Sequence, residues 1–285
     1  MKLGIGIISA GKVGAVLGAA LGRAGHTLVA AHARSEESID RAEMLLPGVP
    51  LQDVEEIVRT CELVLLAVPD SELPGIVSGL AKMKAWQSGQ LLVHTAGSVG
   101  TEVLEPATSL GALGLAIHPA MTFTGTSLDL ARLVGCPFGV SGPATILPIA
   151  HALVSEMEGV PVEVDNDKRG LYHAALAHGG NHLVTVVTQA MRLLEDVGIT
   201  DPGTFLSPLA TASLDGALRS GEALLTGPIV RGDGVTLEKH LEVLADHPQT
   251  QESYRALALA TTERALARMK ISETKAAELR KILGD

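Results

Sequence analysis

The sequence predicts an α/β protein: a doubly wound parallel sheet followed by a smaller all-α domain. Three observations carry that expectation. Short apolar runs alternate with helical patterns through the first 165 of 285 residues. A Gly-rich turn follows the first apolar run directly. After residue 165 only helical periodicity remains. Residues 1–165 and 166–285 are therefore expected as two domains.

In order along the chain, residues 3–8 form the first strand, 13–23 the first helix and 26–31 the second strand. Ser35 followed by Glu36 and Glu37 marks a helix start, a capping hydroxyl with acids in the first turn. Residues 63–68 and 90–94 are continuous apolar runs, as in strands covered on both faces. Residues 113–117 and 138–140 continue the sheet. Beyond 165, helical periodicity runs through 168–197, 202–220, 237–245 and 251–283, punctuated by Gly198, Asp201-Pro202 and Gly227-Pro228. Residues 272–285 read as a charged amphipathic helix or a frayed tail.

Composition narrows the function. The net charge of −10 argues against a nucleic-acid partner, and six aromatic residues are too few for base-stacking platforms. The first 165 residues carry 9 basic and 17 acidic side chains, so few cations are available there for a phosphate. Cys61 and Cys136 flank apolar runs and read as buried, reduced thiols of a cytoplasmic protein. No apolar run is long enough to span a membrane. Lys12 and Arg23 interrupt the N-terminal apolar stretch, which reads as a nucleotide loop rather than a signal peptide.

That loop reads Ser9-Ala10-Gly11-Lys12-Val13-Gly14, a dinucleotide fingerprint with Ser9 at its first glycine position. Gly11 lets backbone approach a pyrophosphate, Gly14 permits close helix–strand packing, and the helix N-terminus offers free N–H donors. The second strand ends His32-Ala33-Arg34-Ser35, without the acid that holds an NAD ribose. Arg34 and Ser35 instead suit a 2′-phosphate, which makes NADP the expected cofactor. Val68-Pro69-Asp70 and His94-Thr95-Ala96-Gly97-Ser98 follow the next two strands. Val68, Pro69, His94, Ala96 and Gly97 are expected to complete the cofactor pocket. Asp70 either joins them or caps the next helix.

His118 ends the strand that begins near residue 113, on the cofactor's edge of the sheet. His173, Ala177 and Asn181 are spaced i, i+4, i+8 on the first long helix, beside the pair Gly179-Gly180. This stripe suits either helix packing or a carbonyl-reducing site. In the second case His173 protonates the alkoxide, Asn181 hydrogen-bonds the substrate oxygen and His118 assists. Lys168 and Tyr172, also i, i+4, would bind substrate. Arg231 and Asp233, in a Gly/Pro turn, either anchor a substrate carboxylate or form a loop-and-cap device. His178 and His182 have metal-ligand spacing but lack a third ligand, so no metal is expected.

Together these residues resemble the bacterial Rossmann-like proteins whose helical C-terminal domain is akin to that of pyrroline-5-carboxylate reductase, in the 6-phosphogluconate dehydrogenase-like group. The resemblance covers essentially the whole chain. It rests on residues 9–14, 68–70 and 94–98, on His118-Pro119 to Phe123, on Tyr172-His173 to Asn181, and on Gly227-Pro228 to Asp233. It implies a Rossmann-type sheet domain that binds NADP and a helical domain that binds substrate and forms a homodimer. Some members are similar to the alternative ketopantoate reductases, which implies NADPH-dependent reduction of a small 2-keto acid. The group's hydroxyacid dehydrogenases use a Lys four residues before the Asn. Here Ala177 stands at that position. The alternatives are an imine, amino-acid or deazaflavin-linked NADP oxidoreductase, and a non-catalytic NADP-binding protein.

Overall fold

The computed structural model describes residues 2–284. They divide into two compact units, with the boundary between residues 178 and 179.

The first unit holds seven strands: β1 (Gly4–Ile8), β2 (Thr27–His32), β3 (Leu63–Leu66), β4 (Leu91–His94), β5 (Leu113–Pro119), β6 (Pro137–Ser141) and β7 (Val160–Glu163). Their order is β2-β1-β3-β4-β5-β6-β7. Its helices are α1 (Lys12–Arg23), α2 (Glu36–Leu45), α3 (Val54–Thr60), α4 (Leu73–Lys82), α5 (Glu105–Thr108), α6 (Leu128–Arg132), α7 (Leu147–Glu156) and α8 (Arg169–Leu176). Two apolar clusters form the core. One gathers Ile5, Ile7, Leu63, Leu65 and Phe138, the other Ile8, Val64, Leu66, Leu92 and Trp86. The alternation of Ile7 and Ile8 between them is the period-two pleat of a strand buried on both faces.

The expected doubly wound architecture is present, with one departure. Strands β1 to β5 are parallel, but β6 runs antiparallel to β5, and β7 is parallel to β6. The Ala120 N–H donates to the Pro137 carbonyl, so the chain re-enters the sheet at the end where β5 left it. Strand β7 has no counterpart in the expected elements. It is short, half exposed and contains Pro161, as an edge strand allows.

α1 lies close on β1 because glycine recurs every fourth residue on its inner face. A Cβ on Gly14 would fall 2.2 Å from the Ser9 carbonyl oxygen, and one on Gly18 2.3 Å from Ile7. α8 stays with the sheet rather than with the later helices, because Arg169 is fully buried and bonds to β6 and to the loop after β4. The compact division accordingly falls after residue 178, thirteen positions beyond the expected boundary.

The second unit is helical: α9 (His182–Asp196), α10 (Pro202–Ser220), α11 (Gly234–Val243), α12 (Pro248–Ala267) and α13 (Glu273–Leu283). Its core gathers Ile229, Leu237, Leu241, Ala258, Leu279 and Leu283. The expected helix over 168–197 is interrupted by a π-helical turn, Ala177–Asn181. Hydrogen bonds there run over five residues, so four-residue spacing no longer tracks one face through Asn181. The expected helix over 251–283 breaks at Met269, whose φ is +54°, and resumes where Ser272 caps α13 by accepting from the Lys275 N–H.

Candidate functional site

A cleft of about 550 Å³ opens where β1, β2 and β3 end. Ser9 and Gly11 line it from the first turn, Arg34 and Ser35 from the end of β2, and Val68 and Pro69 from the end of β3. Gly11 is the N-cap of α1, and a Cβ there would meet nothing closer than the Ser9 hydroxyl at 3.6 Å. The first-turn N–H groups of α1 have no intrahelical partners and can receive an anion. Ser9 has φ +73°, so it supplies the left-handed turn for which the fingerprint uses glycine. Lys12 is exposed at the start of α1.

Two residues of the loop serve the fold instead. The Ala10 N–H donates to the His32 carbonyl at 2.8 Å and its side chain is buried. Val13 packs against the core.

Among the residues absent from the expected site, the cleft holds His32, Ser38, Arg41 and the acidic Glu72. Ser35 caps α2 by accepting from the Ser38 N–H, and the Ser38 hydroxyl accepts from the Arg34 N–H at 3.1 Å. Among the described residues, neither Arg34 nor Arg41 has a carboxylate within ion-pair distance, so both charges are available to a ligand. Burial, aided by the Arg34 charge, lowers the pKa of His32 and favours its neutral form. Arg41 was missed because nothing in the sequence distinguishes it from a solvated residue on the helix. The loop that follows β5 brings Gly125 against it: a Cβ there would fall 2.6 Å from Arg41 Nε and 2.9 Å from Lys12 Cγ. The buried Asp129 carboxylate fixes this loop by accepting from the Thr124 and Gly125 N–H groups.

A second cluster sits at the ends of β4 and β5, against α8. His118 Nδ1 lies 3.0 Å from the Tyr172 hydroxyl. The His118 and His173 rings meet edge to face at 5.8 Å. Gly97 separates the imidazoles: a Cβ there would fall 2.5 Å from His173 Cδ2 and 2.9 Å from His118 Nε2. Gly139, paired with His118 in the β5–β6 register, makes the same room for the Tyr172 ring. Burial and the Arg169 charge lower the His118 pKa to about 4, so the ring is neutral at pH 7. Burial raises the Tyr172 pKa, while the Arg169 charge and the Gly139 N–H act the other way.

His94 does not line the cleft. It is fully buried, bonds the Gly100 carbonyl through Nε2 and accepts the Ala96 N–H at Nδ1, so it shapes the turn that carries Gly97. Ala96 is buried as well and contributes its carbonyl to Arg169. Asp70 is not a helix cap: it accepts from Ser98 at 2.6 Å and ties the β3 and β4 loops together. Lys168 is exposed and pairs with Asp165, while its neighbour Arg169 is the buried cation. One step along a helix turns a side chain by about 100°, which separates the two environments.

Asn181, Arg231 and Asp233 belong to the second unit. There Asp233 caps α11, accepting from the Thr236 N–H and hydroxyl, which is the loop-and-cap alternative. Arg231 is exposed at the end of a short 3₁₀ turn. Among the described residues no helix is long and apolar enough to cross a membrane.

Comparison with known proteins agrees with this architecture. Residues 1–119 match the model of a Rossmann-like domain, and residues 136–261 match that of a domain of unknown function, DUF2520. No curated protein matches the sequence. Among solved structures, a candidate NADP oxidoreductase from Bacteroides fragilis superposes with a TM-score of 0.79 at 23% identity, over 92% of this chain and 98% of its own. An imine reductase from Streptomyces aurantiacus gives 0.66 at 16% identity, over 99% and 100%. A pyrroline-5-carboxylate reductase from Coxiella burnetii gives 0.56 at 17%, over 98% and 99%. The chain thus joins a Rossmann-like domain to a DUF2520 domain.

Proposed function

We propose that the protein is an NADPH-dependent oxidoreductase that reduces a small C=O or C=N compound, with a 2-keto acid as the leading substrate class. The observation that carries this reading is the juxtaposition, on one edge of one sheet, of a cleft lined by Arg34 and Arg41 and a neutral His118–Tyr172 pair. The structural neighbours that reduce imines favour the C=N reading as an alternative.

The residues present fit NADP. The α1 N-terminus and Gly11 would hold the pyrophosphate, and Arg34, Ser35, Ser38 and Arg41 would hold a 2′-phosphate. When bound, NADPH supplies the hydride that goes to the substrate carbon. The chain must then supply one proton to the oxygen or nitrogen. With Nδ1 protonated, His118 donates to Tyr172 Oη and leaves the tyrosine hydroxyl free to donate to substrate. Tyr172 gives its proton to the developing alkoxide, and the His118 N–H and the Arg169 charge stabilise the phenolate until solvent reprotonates it. His173, across Gly97 from His118, closes the other side of the site and is the second candidate donor.

We further infer a homodimer formed through the helical unit. None of the 15 residues of α9 is buried, although its apolar residues fall on one face, and α10 exposes Phe205, Leu209 and Leu218. Exposed apolar side chains of this kind fit a second copy.

The test is loss of reduced-nicotinamide absorbance with NADPH and a panel of 2-keto acids, cyclic imines and imino acids. Turnover of one class identifies the substrate. NADPH binding with no turnover across the whole panel would overturn the enzymatic reading in favour of a non-catalytic NADP-binding protein.

A further inference from the structure

Arg169 has a setting that the sequence reading did not single out. It is wholly buried. Nη1 donates to Ser141 Oγ at 2.8 Å and to the Gly139 carbonyl at 3.4 Å, and Nη2 donates to the Ala96 carbonyl at 3.0 Å. Nε has no hydrogen-bond partner. A guanidinium carries five N–H donors. Here they meet two backbone carbonyls and a hydroxyl, and among the described residues no carboxylate stands within ion-pair distance.

The surrounding titratable groups do not neutralise it. His94 and His118 are neutral at pH 7. Tyr172, 5.8 Å from the guanidinium carbon to the ring centre, is protonated. His173 stands one turn along α8. Asp70 and Glu102 reach Arg169 only through longer-range attraction. Asp70 is half-buried and bonded to Ser98, and Glu102 is exposed, so water weakens both fields. A buried cation without an anion is costly and persists where an anion is due to arrive or where geometry compels it. Arg169 also ties the loop after β4, strand β6 and α8 together, one helical turn from Tyr172 and His173.

We propose that Arg169 is the specificity-determining residue of this site, a buried cation left without a protein carboxylate so that the substrate brings the negative charge. The inference rests on the reductase reading and narrows it to substrates with a carboxylate beside the reducible carbon. Arg169 acts through its field and by holding Ala96 and Gly139 in place, and the substrate need not touch it.

The experiment compares isosteric probes that differ only in charge: pyruvate against pyruvamide, and lactate against lactamide. Binding to the NADP-saturated full-length protein is followed by calorimetry and thermal shift, without turnover. The wild type should bind each carboxylate at least about tenfold more tightly than its amide. Arg169→Gln should abolish the preference, and Arg169→Lys should retain much of it. Equal binding of acid and amide by the wild type would overturn the proposal, as would a preference that survives in Arg169→Gln or no binding of any probe. Should Arg169→Gln fail to fold, the wild-type comparison and Arg169→Lys still decide. NADPH affinity is measured separately by cofactor fluorescence. Its absence would sink the reductase reading, while the same anion titration without cofactor would still decide the role of Arg169.

Discussion

Replacing Gly97 with alanine places a methyl group between two imidazoles, and the structure sets the size of the effect. The new Cβ would lie 2.5 Å from His173 Cδ2 and 2.9 Å from His118 Nε2. Carbon contacts are comfortable at about 3.5–4.0 Å, so the His173 ring must retreat by roughly 1 Å. His118 must yield too, and it cannot do so without disturbing its 3.0 Å bond to Tyr172. Overpacking of this kind costs about 1–3 kcal/mol of stability. A displacement of about 1 Å in a reacting group costs about 100-fold in turnover. NADPH affinity should change far less than turnover, because Arg34 and Arg41 line the cleft and Gly97 does not. The assays are urea unfolding, fluorescence titration of NADPH and single-turnover reduction of the substrate identified by the panel. A variant with wild-type turnover and wild-type stability would refute the assignment of this gap to the site.

Four further outcomes follow from the same geometry. Arg34→Ala should weaken NADPH binding by about 10–100-fold, the loss of a charge-assisted hydrogen bond, while leaving NADH binding unchanged; parallel titrations with the two cofactors decide this. Ser9→Gly should raise the unfolding free energy by about 1 kcal/mol, since Ser9 holds φ +73°, and a comparable loss in denaturant unfolding would contradict the strain argument. His94 and His118 have folded pKa values of about 4, below the ordinary 6.5, so the unfolded chain binds more protons between those values and stability should fall as pH drops through that window. Unfolding curves across the window should show the slope, reduced in His118→Asn. Leu209→Asp, on a residue 67% exposed, should convert a dimer to a monomer in light scattering without lowering the helix content.

The sheet was legible because its signals are local. A continuous apolar run such as Leu63–Leu66 declares a strand, and Gly14 declares close packing of α1 on β1. The loop from Ser9 to Gly14 and the Arg34-Ser35 pair were legible for the same reason, since phosphate recognition uses short contiguous motifs. The direction of β6 was not, because it is set by the path of the chain after β5 and by the β5–β6 pairing, which no periodicity encodes. Tyr172 and His173 were singled out from helical spacing, yet their bond and ring contact to His118 join residues more than fifty positions apart. Arg169 was passed over in favour of Lys168. Both are cations at the start of one helix, and only the bonds of Arg169 to β6 and to the loop after β4 tell them apart. His94 illustrates the converse: a polar residue at a strand end looks like a ligand contact until its two ring nitrogens are found engaged by its own loop.

The reversed strand β6 has a consequence for how such a protein can be recombined. The Rossmann-like match ends at residue 119 and the DUF2520 match begins at residue 136, so the seam between the two sequence modules lies in the connection between β5 and β6. The seam between folded bodies lies at residue 178. Between these points the second module donates β6, α7, β7 and α8 to the first body, and with them Gly139, Arg169, Tyr172 and His173. The sequence matches and the folded bodies therefore have different boundaries. A chimaera spliced at the module seam must recreate the pairing of Ile117 with Val140 and of His118 with Gly139 between strands of different parentage. One spliced after residue 178 carries the whole nucleotide edge and the His118 cluster across intact.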